Sequence, residues 1–216
     1  MTLPKHHPDE ALLLDYASGA IPEAFSLAVA THLALCPQCR RRAENLEAIG
    51  GASLAEIAMP AMSEDLLTRV MARLDETPTP TSANEASQRK SDFGVPRPLR
   101  DTLSRPLEEL PFKRLAGVEI FLLGAPDPFR AYVLRVAGGS ALPRHGHSGD
   151  EMTLVLRGGF SDGDLKFGVG DVAIVGEADN HAPRADPEGC VCLVVSSGAL
   201  RMNGPISGLV ARWFGV

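Results

Sequence analysis

The sequence has no apolar run approaching the ~20 residues that a membrane helix needs, so no part of it reads as a spanning segment. Its opening residues, Met1 to His7, lack the basic-then-apolar pattern of a signal peptide, and the cytoplasm is the expected compartment. An excess of positive charge is also missing. The 21 Lys and Arg face 27 Asp and Glu, the net charge is -6 and the pI is about 5.5, which argues against a nucleic-acid surface as the main business. The basic cluster Arg40-Arg41-Arg42 is explained by a solvated or partner-facing helix surface. Aromatic residues make up only 5%, with a single Trp, Trp213. There are four cysteines in two close pairs, Cys36/Cys39 and Cys190/Cys192, which suits metal or thiol chemistry in a reducing compartment better than a disulfide framework. What remains is a chain of 216 residues, 44% hydrophobic, long enough for one large or two small domains, with a protein as the expected partner.

From Pro8 to Leu74 the pattern is helical. Pro8-Asp9-Glu10 makes a good first turn, with proline at the first helical position, and Gly19 can end that helix in the left-handed conformation. Pro22-Glu23 starts a second helix and Pro37 a third, which is expected to stop at Gly50-Gly51. A fourth begins at Ser63 and places Leu66, Leu67, Val70, Met71 and Leu74 on one face, either to pack on the first three helices or to clamp a partner. Within this half, His32-x3-Cys36-x2-Cys39 puts His32 and Cys36 one helical turn apart, with Cys36 at the cap of the next helix. Three soft ligands then converge. Tetrahedral zinc needs four, and a His from the pair His6-His7 would close the shell as Cys2His2 with no open position, a structural site. A Cys-x2-Cys redox pair, or two free thiols beside a surface His, are the other readings. Fewer than about 60 residues bury little surface, so metal binding would supply much of this unit's stability.

Thr77 to Asp92 has no apolar periodicity and is rich in Pro, Ser and Thr, as a linker is. Beyond it the helical period vanishes. Short apolar runs between turns, Val118–Leu123, Arg130–Val136, Met152–Leu156, Asp171–Val175 and Cys190–Val195, read as an antiparallel sandwich or barrel, with the tail Ala211 to Val216 covering one end.

In this half, Gly139 to Gly158 carries His145, His147 and Glu151 in the spacing G-x5-H-x-H-x3-E-x6-G, residue for residue that of the first cupin motif. His145 and His147 share one face of a strand, and Glu151 can return beside them on the next. The second cupin motif is matched more loosely by Gly170 to His181, with Gly176, Ala178 and Ala185 where Pro, Gly and Asn are usual. Three His and one Glu accept zinc or another divalent metal. Cys190 and Cys192 share a strand face; facing inward they lie near that metal, and otherwise they are small core residues.

A helical His...His-x3-Cys-x2-Cys unit, a linker and a cupin in this order resemble the ChrR family of zinc-dependent anti-sigma factors, and the resemblance covers nearly the whole chain. It implies a multidomain α + all-β fold: a small zinc-stabilised four-helix anti-sigma domain over residues 1–76, a flexible linker over 77–95 and a cupin β-barrel over 96–216. It further implies a non-enzymatic regulator that sequesters an extracytoplasmic-function sigma factor without touching nucleic acid, and releases it on singlet oxygen or organic hydroperoxide sensed through the cupin. Carried over residue by residue, the structural zinc is held by His7, His32, Cys36 and Cys39, His7 being preferred to His6 because the family ligand directly precedes helix one. The cupin metal, zinc or another divalent ion, is held by His145, His147, Glu151 and His181. A cupin-type dioxygenase or a ligand-binding regulator with an appended zinc module is the alternative.

Overall fold

The computed structural model describes residues 3–59, 61–74, 93–115, 117–124 and 128–202. Most of the expected linker, Thr77 to Asp92, and the tail with Trp213 lie outside them.

Helix α1 (Glu10–Ser18) is capped by Asp9, whose carboxylate accepts the Leu12 N–H at 2.8 Å. Pro8, expected as the first helical residue, therefore sits just outside the cap. Gly19 closes α1 at φ 73°, its N–H bonding back to the last turn, as expected. Helices α2 (Glu23–Leu35) and α3 (Pro37–Ala55) meet at Cys36, which ends one and caps the other. The expected stop at Gly50-Gly51 is not where α3 ends. Neither glycine takes a positive φ, and the space where each Cβ would stand is open. The helix crosses them at a cost of about 1 kcal/mol each. Replacing both by Ala is expected to stabilise the helical part by about 1–2 kcal/mol, read as a higher urea midpoint. An unchanged midpoint would mean that this half of α3 is not helical in solution.

Helix α4 (Leu66–Leu74) follows, then a short α5 (Arg97–Thr102) and a 3-10 turn, Leu107–Glu109, neither of which the sequence pattern announced. The remaining chain forms β1 (Lys113–Leu115), β2 (Val118–Leu122), β3 (Arg130–Val136), β4 (His145–His147), β5 (Glu151–Asp162), β6 (Leu165–Phe167), β7 (Val172–Val175), β8 (Asn180–His181), β9 (Arg184–Ser196) and β10 (Leu200–Met202). All pairings are antiparallel. The large sheet runs β1-β2-β3-β9-β5-β6, with β7 on the first half of β5; a small sheet, β10-β4-β8, faces it. The 12-residue β5 bends at two register shifts, where Gly158 at φ 66° allows the backbone to pass Gly189 at a distance no Cβ would permit.

Alternation along the strands separates two cores. Ile120, Tyr132, Leu134, Val136, Val155, Phe160, Phe167, Cys190, Cys192 and Val194 point inward and fill the barrel. The opposite face of the same strands, with Ala131, Val133, Met152, Leu154, Leu193 and Val195, joins Leu13, Phe25, Ala28, Val29, Leu33, Leu99 and Leu103 in a second cluster. The helical part does not stand apart as a self-contained unit. Helix α2 buries residues on several sides because it lies between the other helices and the sheet. Phe93 and Val95, at the end of the expected linker, are buried in the same cluster.

Candidate metal centres

The first centre is assembled by the α2–α3 corner. His32 and Cys36 lie one turn apart, Cys36 accepts the Cys39 N–H at its sulfur, 3.4 Å away, and both thiols are buried and free. His7 reaches them from the amino-terminal segment, its Nδ1 standing 3.5 Å from Cys36 Sγ and 3.3 Å from Cys39 Sγ. Metal–sulfur and metal–nitrogen lengths of about 2.3 and 2.05 Å at a tetrahedral angle place nitrogen and sulfur about 3.6 Å apart. The fit is close. One ligand atom from each of His7, His32, Cys36 and Cys39 lies within 4.8 Å of all the others. His6 is elsewhere: its ring packs on Phe167 and its Nε2 bonds the Lys166 carbonyl at 3.1 Å.

His32 carries a second sign of a metal. Its Nδ1 lies 2.8 Å from the Gly170 carbonyl oxygen, which can only accept, so Nδ1 holds the proton and Nε2 presents a lone pair. That Nε2 is fully buried and has no hydrogen-bond partner among the described residues. An orphaned buried acceptor is costly unless a cation meets it. Burial pushes the His32 imidazole down to about 4 and the Cys39 thiol up to about 12, the latter reinforced by its hydrogen bond with Cys36. Neutral imidazole is the ligating form already, and a divalent ion would deprotonate the thiols as it bound.

The second centre lies inside the barrel. His145 and His147 are buried on β4, and β8 pairs with β4 so that His181 stands directly opposite His145. Gly146 between them permits this approach, because a Cβ there would come within 3.0 Å of the Asp179 carbonyl. The nitrogens of His145, His147 and His181 converge within 4.8 Å. The Nδ1 of His145 donates to the Pro143 carbonyl at 2.7 Å, and that of His181 to Asp162 at 3.0 Å, which turns each Nε2 toward the shared point. His147 Nε2 lies 3.1 Å from His181 Nε2. At that distance the His147 ring either donates to the His181 lone pair or shares a cation with it, and the convergence of all three rings fits a bound metal. Burial holds His145 below its ordinary range and brings His147 down to about 4.

Glu151, expected as the fourth ligand, is not brought to this point. One of its oxygens takes the Tyr132 hydroxyl and the other the Thr153 hydroxyl, both at 3.3 Å, and the nearer stands 3.6 Å from His147 Nδ1, on the side of the ring away from His181. Burial pushes its carboxyl up to about 7, against the pull of these two hydrogen bonds. A buried carboxyl without an adjacent cation takes the hydroxyl donors in reach. Cys190 and Cys192 face inward, among apolar side chains. Their mutual hydrogen bond and burial push the Cys192 thiol above its ordinary range.

Asp162, Tyr132, Thr153 and the carbonyls of Pro143 and Gly170 escaped the sequence reading. Asp162 sits in a Ser-Asp-Gly-Asp turn, where its residue type signals only the turn. A backbone carbonyl leaves no residue signature at all.

Residues 104–201 match the family described as the ChrR cupin-like domain. Over 212 residues, 97% of this chain and 98% of the relative, the sequence is 42% identical to the anti-sigma-E factor ChrR of Cereibacter sphaeroides. Among solved structures, the fold is similar to a chain in the crystal structure of Rhodobacter sphaeroides SigE in complex with the anti-sigma ChrR. That match has 39% identity and a TM-score of 0.76, and covers 89% of this chain and 98% of the other.

Proposed function

The chain belongs to the ChrR family of anti-sigma factors, and we propose that it holds an extracytoplasmic-function sigma factor inactive through its helices and releases it when an oxidant acts on the barrel. It is a regulator and not an enzyme. The observation that carries this reading is α4. Leu67, Val70, Met71 and Leu74 are 49–71% exposed, and no residue of the helix is buried. Leu54, Ile57, Met59 and Met62 extend the apolar surface upstream, all more than 60% exposed. A nine-residue helix with its apolar side in water is marginal alone and suits a groove on another protein. The alternative that α4 packs on the helices before it is not what the structure shows.

In this reading His7, His32, Cys36 and Cys39 hold a structural zinc that fixes the α2–α3 corner and presents the helices to the partner. His145, His147 and His181 hold zinc or another divalent ion, while Glu151 stands behind the His147 ring. When bound, that ion supplies a centre at which singlet oxygen or a hydroperoxide can change the barrel. The protein's own groups hold the imidazoles in place: Asp162 and the Pro143 carbonyl fix two of them through Nδ1. Among the described residues no single helix is long and apolar enough to cross a membrane. The cytoplasm, where a sigma factor must be met, is the compartment this function requires.

The test is reconstitution with the purified sigma factor encoded beside this protein's gene. The full chain is expected to co-elute with it and to block transcription from its promoter, and light with a singlet-oxygen sensitiser is expected to restore transcription. A His145→Ala/His147→Ala chain should still inhibit but no longer respond. Failure to form the complex would sink the anti-sigma reading; an unchanged light response in the double variant would sink the role of the barrel metal.

A further inference from the structure

The geometry points to the barrel turn Gly168–Asp171 as the outer holder of the helical metal centre, so that retention of metal by His7 and His32 depends on a part of the chain that supplies no ligand. The inference rests on reading His7, His32, Cys36 and Cys39 as that centre.

Both histidine ligands lean on this turn. His32 donates from Nδ1 to the Gly170 carbonyl, which fixes the tautomer and aims Nε2 at the thiols. His7 is held less directly. Asp171 is only 5% exposed, and its Oδ1 accepts the backbone N–H groups of Lys5, at 2.5 Å, and His6, at 3.0 Å. Its Oδ2 accepts the Gly168 N–H at 2.8 Å, which fixes the carboxylate in the turn. The Val172 N–H then donates to the His6 carbonyl at 3.1 Å, so the amino-terminal segment is laid along the start of β7. His7 is the next residue. Gly170 stands at φ 89°, and a Cβ there would fall 2.7 Å from the Pro4 ring and 3.6 Å from Leu35, so the turn is wedged between the incoming segment and the end of α2.

The barrel thus orders residues 4–7 before a metal arrives. Linked equilibria are reciprocal, so the metal must tighten the docking of that segment on the barrel as much as the docking tightens the metal. A bare Cys-x2-Cys with a histidine on a loose arm would lack this dependence.

The experiment uses the full chain loaded with Co(II), whose thiolate-to-cobalt charge-transfer band reports only the centre with cysteine ligands. Cobalt loss to excess chelator is timed in the unchanged chain, in Asp171→Asn and in Lys5→Pro. The second variant deletes one of the N–H donors to Asp171 and leaves the barrel sequence intact. Glu177→Gln, which removes an exposed barrel carboxylate paired with Arg201, is the control. Loss of the band is expected to be tenfold or more faster in Asp171→Asn, severalfold faster in Lys5→Pro and unchanged in the control. If Asp171→Asn melts the barrel, as far-ultraviolet circular dichroism would reveal, Lys5→Pro decides alone. Retention at the unchanged chain's rate in Lys5→Pro, or in a folded Asp171→Asn, overturns the proposal. Absence of any thiolate band in the unchanged chain refutes the metal centre itself, and the proposal with it.

Discussion

His32→Ala is expected to empty the helical metal centre and to weaken binding of the sigma factor at least a hundredfold. The substitution removes a buried ring with two jobs. Its Nε2 is the unpartnered acceptor aimed at the thiols, and its Nδ1–H joins α2 to the barrel turn at Gly170. Three remaining ligands do not close a tetrahedral shell, and a structural zinc in finger-like units contributes roughly 10–16 kcal/mol. Only part of that is expected to be lost as fold, because α2 keeps its apolar contacts with the sheet. The measurement is metal per chain by mass spectrometry beside helix content by circular dichroism. A drop of one metal per chain with loss of sigma binding is the expected pair of results. His6→Ala, whose ring touches Phe167 rather than the thiols, should leave the metal count alone. If His32→Ala keeps its metal, the centre is not the one described.

The second large effect concerns α4. Leu67→Ala/Met71→Ala is expected to weaken the complex by about 2–4 kcal/mol, some 30- to 1000-fold in Kd, since buried anchors of this size dominate such contacts. Neither side chain is buried in the free chain, so melting temperature and metal content should not move. That contrast separates the two variants: His32→Ala acts through the fold of the helices, and the α4 pair acts through the contact alone. An unaltered Kd would place the partner on a different surface.

Much of this site was legible because its spacing obeys local geometry. His32 and Cys36 fall one turn apart and Cys36 caps α3, so three ligands converge wherever those helices form. His7 is preferred to His6 from the family pattern, and the structure places the His7 ring beside the two thiols and the His6 ring against Phe167. In the barrel, His145-x-His147 needed only the alternation of a strand, and His181 the return of β8. Glu151 shows the limit. Its position was legible, but its orientation is set by Tyr132 on β3, 19 residues upstream, and a side-chain hydrogen bond across strands leaves no pattern in the chain. The joining of helices to sheet was missed for a different reason. The first three helices read as a small metal-stabilised unit, whereas α2, buried at Ala24, Phe25, Ala28, Val29 and Leu33, is apolar on more than one side and has two neighbours to satisfy. Gly50-Gly51 misled because glycine lowers helix stability without forbidding the helix.

The sheet face under α2 bears on how the molecule is cleared from a cell. Val133, Leu154, Leu193 and Val195 are each fully covered, and part of that cover comes from Phe25, Val29 and Leu33. A protease that consumed the helices and stopped would leave a barrel showing water a broad apolar sheet face, the kind of surface that draws proteins into aggregates or to chaperones. The two halves therefore share a core, and removing the helices would leave the sheet face without part of its cover.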